Sequence, residues 1–292
     1  VLCDEQLRNG QEMEKIGIAL GAGGARGLAH ILMLETLDEL GLKPAYVSGA
    51  SVGAIAGVLY CSGMTGKELR ESFSELTVSQ RNSVKNVFNL KWLDFIAPQF
   101  EGAGLLKTEN FIKFLFKLIT ARTFEELAIP LFVVTSNFWT RDEVVFKSGE
   151  LVSAIQASIS LPGIFAPVLI DDKVLIDGGA VNPVPFDILP NDCDLTIAID
   201  VIGHRTAGSD LMPSLTEAVF NTFQIMEKSI TRQKLRAVCP DIYIEPNISD
   251  VRVLEFNKAE HVFRQAQPAK DRLKRELEKR LKESRRSNSS AY

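Results

Sequence analysis

The chain has 292 residues, 46% hydrophobic and 24% charged, with a formal net charge of -4. That length and balance suit one large α/β domain or two small ones, able to bury a full core without covalent staples. The charge is uneven: residues 270–286 carry nine Lys or Arg against four Asp or Glu over an acidic remainder, which argues against a general nucleic-acid binder and permits contact of the tail with an anionic membrane.

Residues 1–15 are polar and lack the plan of a signal peptide. No apolar run reaches the ~18 residues of a spanning helix. Cys3, Cys61, Cys193 and Cys239 lie far apart with no C-x-x-C pair, so idle thiols in a reducing compartment are expected rather than a zinc or disulfide framework. The expected location is cytoplasmic, with peripheral membrane contact. An upstream targeting segment stays open because the chain starts at Val1.

Ile16–Leu20 is a short apolar run ending in glycines and reads as a buried parallel strand. Leu28–Leu40 has helical apolar spacing, with Gly41 as its stop. Ala45–Ser48 reads as a second strand, and Val52–Cys61 as a helix of small residues. Strand, helix, strand, helix is the signature of a parallel sheet covered by helices. The pattern returns with a strand at Leu131–Ser136, a helix at Leu151–Ser158, a strand at Lys173–Ile176, a buried strand at Leu195–Val201, a long helix at Ser214–Val238 and a last strand at Ile242–Glu245.

Two regions stand apart. Residues 66–120 read as mostly helical and aromatic, with Phe88, Trp92, Phe95, Phe100, Phe111, Phe114 and Phe116. They suit a cap over the site or a lipid-facing surface, although aromatic stripes more often pack inside. Residues 268–286 read as a charged helix whose Leu273, Leu277 and Leu281 form one narrow docking stripe. Disorder is expected beyond Ser284. The domain reading is an extension at 1–15, a main domain at 16–265 containing the cap-like 66–120, and a charged helix and tail at 266–292.

Gly49-Ala50-Ser51-Val52-Gly53 lies between a strand and a helix. A strand reversing sharply into a helix crowds its apex, and glycines two residues either side relieve the clash. Ser51 then sits at a helix N-terminus, where developing negative charge is favoured. Gly21-Ala22-Gly23-Gly24-Ala25-Arg26-Gly27 is a second loop at a helix start. Arg26 occupies the third-glycine position of a dinucleotide fingerprint, and no Gly-Lys-Ser/Thr follows, so neither a Rossmann loop nor a P-loop is present. The remaining function for bare amides there is to hold an oxyanion, with Gly23 and Gly24 as donors. Arg26 either holds the loop through backbone carbonyls or meets a substrate phosphate.

A serine nucleophile needs a base. His30, His204 and His261 are the only histidines. His30 and His204 come near the site in sequence order, though a histidine at His30's position more often bonds locally. The competitor is Asp177, which opens Asp177-Gly178-Gly179 after a short strand. At its ordinary pKa of ~3.9 a carboxylate is a poor base for a hydroxyl. Burial beside Ser51 would improve the match.

These three motifs, in this order, resemble the patatin-like phospholipase family. Its G-G-G-x-R/K-G motif is similar to Ala22 through Gly27, with Ala22 in place of the first glycine. Its G-x-S-x-G matches Gly49–Gly53, and its D-G-G/A matches Asp177–Gly179. Ala157-Ser158-Ile159-Ser160-Leu161-Pro162 resembles the family segment before the aspartate. The resemblance covers roughly residues 16–200. It implies a three-layer α/β/α fold with a mostly parallel central sheet. It implies a Ser51–Asp177 dyad without histidine, a Gly23/Gly24 oxyanion hole, no metal or other cofactor, and acyl esters of phospholipids, lysophospholipids or neutral glycerolipids as substrates. Hydrolysis through an acyl-serine is the expected reaction. Acyl transfer to an alcohol or carrier, and a silent lipid-binding scaffold, are the alternatives.

Overall fold

The computed structural model describes residues 15–78, 112–113, 115–204 and 212–289. An eight-stranded sheet is sandwiched between helical layers, as expected. Its strands are β1 (Ile16–Leu20), β2 (Tyr46–Ala50), β3 (Leu131–Asn137), β4 (Glu143–Phe146), β5 (Val168–Ile170), β6 (Lys173–Asp177), β7 (Leu195–Ile199) and β8 (Ile242–Ile244). The hydrogen-bonded order is β5-β6-β3-β2-β1-β7-β8, with β4 pairing β3 off that path. β3-β2-β1-β7-β8 is parallel throughout. The pairings of β4, β5 and β6 are antiparallel.

Side-chain size decides which face of the sheet is which. In β1, Ile16, Ile18 and Leu20 enter the main core, while Ala19 faces the other side, as the two-residue period of a strand requires. The main core is covered by α1 (Ala29–Glu39), α2 (Val52–Cys61), α4 (Leu151–Ser158) and α6 (Ala259–Ser289), with α3 (Gly66–Val78) packed against α1. On the opposite face Val184, Phe186 and Leu189 pack with Leu235 of α5 (Leu215–Ala237). A Ser214–Glu217 capping box starts α5 and ties two amide groups that the helix itself leaves unpaired.

β1, α2 and α4 fall on the residues read from sequence. β4 and β5 are additions. α6 corrects the expected charged helix: it begins at Ala259 because Val262, Phe263 and Ala266 continue its buried stripe upstream, and it remains helical to Ser289. Leu273 and Leu277 are fully buried in the main core, each contributing roughly 1.5–3 kcal/mol of transfer free energy. Lys270 bonds both Glu35 (2.5 Å) and Glu39 (2.6 Å) of α1, and Lys274 bonds Glu39 (2.8 Å). These pairs fix the register of α6 on α1 more than they add stability.

Phe116 is buried beneath the Arg122 guanidinium. The cap-like reading of 79–111, with its other aromatic residues, and of Phe114 falls outside the described residues. Cys61 and Cys193 are free and buried. Among the described residues no helix is long and apolar enough to cross a membrane.

Candidate active site

The register of β3 brings the site together. Residues 133–134 pair with β2 and β4, and residues 135–136 pair with β6 and β4. A strand has only two edges, so β2 and β6 share one edge of β3 and approach each other along it. β2 ends with Ala50 opposite Val134, and β6 ends with Asp177 opposite Thr135. Two strands distant in sequence therefore stop head to head at adjacent residues. Ser51 follows one end and Asp177 is the other. Ser51 Oγ donates to Asp177 Oδ2 at 2.6 Å.

Steric crowding shapes the serine turn. Ser51 has φ 55° and ψ -124°, a region that a side chain occupies only under external constraint. A Cβ on Gly53 would collide with the Leu20 carbonyl oxygen, and one on Gly49 would lie 2.7 Å from the Ala54 nitrogen. The Ser51 N–H donates to Ser158 Oγ (3.0 Å), and Ser158 Oγ donates to the Val134 carbonyl (2.7 Å). The hydroxyl is thus fixed at the N-terminus of α2, whose dipole favours negative charge.

Hydrogen bonds, by contrast, hold Asp177. Its Oδ1 accepts from the Gly179 N–H (2.8 Å), its N–H donates to the Ser160 carbonyl (3.0 Å), and its carbonyl accepts from Ser136 Oγ (2.8 Å). The residue is 2% exposed. Burial pushes its pKa up to about 6, opposed by the Ser51 hydroxyl and the Gly179 amide. Around neutral pH it is largely ionised yet more basic than a solvated carboxylate, the compromise a general base needs.

In the glycine loop, Gly21 N–H donates to Ile199, Ala22 N–H to Pro183 and Ala25 N–H to Val253 carbonyls. Among the described residues neither Gly23 nor Gly24 N–H finds a partner. Arg26 is 1% exposed; its Nε donates to the Gly23 carbonyl (3.2 Å) and its Nη1 to Gln224 Oε1 (3.4 Å). This is the bonding the loop-holding role calls for. In a trans peptide the carbonyl and the following N–H point opposite ways. Holding the Gly23 oxygen therefore directs the Gly24 N–H away from Arg26.

His30 takes its local alternative. It is fully buried, and Nε2 lies 2.8 Å from the Gly21 carbonyl. Burial lowers its pKa to about 4, so the neutral ring donates Nε2–H to that carbonyl and supports the loop from below. His204 bonds Asn247, and His261 bonds Gln265. Sequence reasoning missed Ser136 and Glu227 and gave Ser158 and Ser160 no separate roles. Glu227 of α5 is 5% exposed and abuts Gly179, where it would collide with a Cβ. Burial first, then the neighbouring Asp177, raises its pKa well above the usual carboxylate range. No signal in its own segment marks it, since its neighbours come from elsewhere in the chain.

A hydroxyl bonded to a buried carboxylate at a helix N-terminus has the parts for nucleophilic attack on a carbonyl. The described residues contain no cluster of three or more His, Cys, Asp or Glu able to hold a metal.

Among known proteins, an uncharacterized NTE family protein of Mycobacterium tuberculosis is 31% identical over 216 residues, 73% of this chain and 56% of that one. Neuropathy target esterase sws of Drosophila melanogaster is 33% identical over 191 residues, 64% of this chain and 13% of that one. The chain thus spans little more than half of the first relative and a small part of the second. The structure of VipD from Legionella pneumophila aligns at 16% identity, covering 89% of this chain and 67% of that one, with a TM-score of 0.46. The family model for patatin-like phospholipase matches residues 18–190, a span containing the glycine loop, the serine turn and the Asp-Gly-Gly turn, and this chain belongs to that family.

Proposed function

We propose that the protein is a serine acyl hydrolase acting on acyl esters of the phospholipid, lysophospholipid or neutral-lipid type. The observation that carries this reading is the 2.6 Å bond from Ser51 Oγ to the buried Asp177 carboxylate; the Gly23 and Gly24 amides, without a partner among the described residues, support it. Ser51 Oγ attacks the ester carbonyl carbon while its proton passes to Asp177. The Gly23 and Gly24 N–H groups receive the resulting oxyanion, a contribution worth roughly 10²–10³ in rate per donor in comparable sites. Collapse expels the alcohol, which takes the proton from Asp177 and leaves an acyl-Ser51 ester. Water then attacks that ester and gives a proton to Asp177. The second collapse releases the fatty acid, and the proton returns to Ser51.

Arg26 and His30 act as positioning residues, holding the carbonyls of Gly23 and Gly21. The test is turnover of a short-chain nitrophenyl ester and of phospholipid by wild type, Ser51→Ala and Asp177→Asn, with a fluorophosphonate probe for labelling of Ser51. Full activity in either variant overturns the dyad. An unlabelled Ser51 favours a silent scaffold, and an acylated alcohol formed from an added acceptor identifies a transferase.

A further inference from the structure

A buried carboxyl beside the dyad has no part in the steps above. Glu227 projects from α5 and is 5% exposed. A Cβ added to Gly179 would collide with its Oε1 and would stand 3.1 Å from both Asp177 Oδ1 and the Ala22 methyl. The two carboxyls and the glycine loop therefore converge on one residue that has no side chain. Gln224, one turn earlier on α5, accepts from Arg26 of that loop at 3.4 Å, so one helix face serves both.

The two carboxyls differ in their partners. Asp177 accepts from the Ser51 hydroxyl and the Gly179 N–H. Among the described residues Glu227 receives no hydrogen bond and forms no ion pair. Thr231, one turn further along α5, is buried and leaves its own hydroxyl unbonded. A buried carboxyl without a hydrogen bond is rare and costly to keep, so packing alone does not account for it. Three charged groups face Glu227: Asp177 at the end of β6, Asp200 just past β7, and Arg26 of the glycine loop. Asp200 is served separately, by the Tyr243 hydroxyl (2.5 Å), the Ile202 N–H (2.9 Å) and Lys228 at 3.7 Å. Two carboxylates in one buried site repel, so one keeps its proton, and the one with donors ionises first. Asp177 is then the base and Glu227 stays protonated, the form that burial and the Asp177 charge both favour.

We propose that Glu227 is a positioning residue of this site: its neutral carboxyl braces the Asp-Gly-Gly turn against the glycine loop, and loss of its proton puts a second negative charge behind the dyad and stops turnover. This rests on the hydrolase reading and adds an alkaline limit to the same site. An anion at Glu227 would oppose the charge that builds on the substrate oxygen beside the glycine loop, because charges in a buried site are poorly screened. Asp177 then sets the acid limb of a bell-shaped activity profile, and Glu227 sets the alkaline limb.

The experiment follows kcat/KM on a nitrophenyl ester from pH 5 to pH 10 in wild type, Glu227→Gln, Glu227→Met and Glu227→Asp, with Ser51→Ala as the blank. Wild type and Glu227→Asp should lose activity on both sides of a maximum. Glu227→Gln and Glu227→Met, which cannot ionise, should lose only the acid side, so their activity relative to wild type rises about tenfold or more between pH 7 and pH 10. A wild-type profile without an alkaline limb, or one that both neutral variants retain, overturns the proposal. If no ester is turned over above the blank, the hydrolase reading fails, and carbon-13 NMR of the glutamate side-chain carboxyls becomes the readout. A carboxyl that stays protonated at pH 7 in wild type, vanishes in Glu227→Gln and ionises at lower pH in Asp177→Asn then sustains the coupling of Glu227 to Asp177. A Glu227 carboxyl already ionised at pH 7, or one that Asp177→Asn does not shift, overturns it.

Discussion

The two strands that meet on β3 deliver their side chains by different physics. At the end of β2 the serine is positioned by exclusion. Gly53 lies against the Leu20 carbonyl, Gly49 lies against the start of α2, and the backbone is forced to φ 55°. At the end of β6 the aspartate has ordinary extended ψ, and polar contacts fix it: Ser136, Ser160, Gly179 and Ser51 each bond it. Sterics thus set Ser51, while hydrogen bonds hold Asp177 in place and burial, against those bonds, raises its pKa. An added methyl group should damage the first arm most, and a deleted polar atom should damage the second.

The largest expected effect ignores that distinction. Ser51→Ala and Asp177→Asn should each lower ester hydrolysis by roughly 10⁴–10⁶-fold, as for members of other catalytic units, measured as kcat on a short-chain ester. Next comes the steric arm. Gly53→Ala puts a Cβ into the Leu20 carbonyl and should cost about 3 kcal/mol or more of stability, read from urea unfolding. A loss under about 1 kcal/mol would remove sterics as the organising force.

The Asp177 carboxyl supplies the third measurement. Its folded pKa of about 6 lies above its unfolded value, so its contribution is most favourable at low pH and is lost as pH rises through about 6. Asp177→Asn should therefore be the more stable protein at pH 8, by up to about 3 kcal/mol, with the advantage shrinking toward pH 4. Wild-type activity should fall as Asp177 protonates, about tenfold per pH unit below about 6. The smallest effect belongs to Ser136→Ala, which deletes one donor to the Asp177 carbonyl. About 1–2 kcal/mol of stability should be lost, with a downward shift in kcat and little change in KM.

Much of this was legible in the chain. The bounds of β1, α2 and α4 follow from apolar runs punctuated by glycine and proline, and Ser51 and Asp177 from motifs tied to strand ends. β4 and β5 were not legible, because Glu143–Phe146 and Val168–Ile170 are short, partly exposed strands on the antiparallel side of the sheet. Glu227, Ser136 and the bond from Ser158 were invisible for another reason: each acquires its role from a partner brought close only by the register of β3 or the docking of α5. His30 read as one of two histidines near the site. Its burial and the Gly21 carbonyl, neither readable locally, give it a supporting role.

The walls around the glycine loop extend this point. A Cβ on Gly23 would meet Val201, and one on Gly24 would meet Val253. The Ala25 amide is tied to Val253, and Arg26 reaches Gln224. A fragment cut after residue 190 would keep every recognisable signature and lose the residues that pack against Gly23 and Gly24 and the partner of Arg26. Such a truncation would be complete as a text and would leave the glycine loop without its walls, so the boundary of a folded unit should be drawn beyond residue 253.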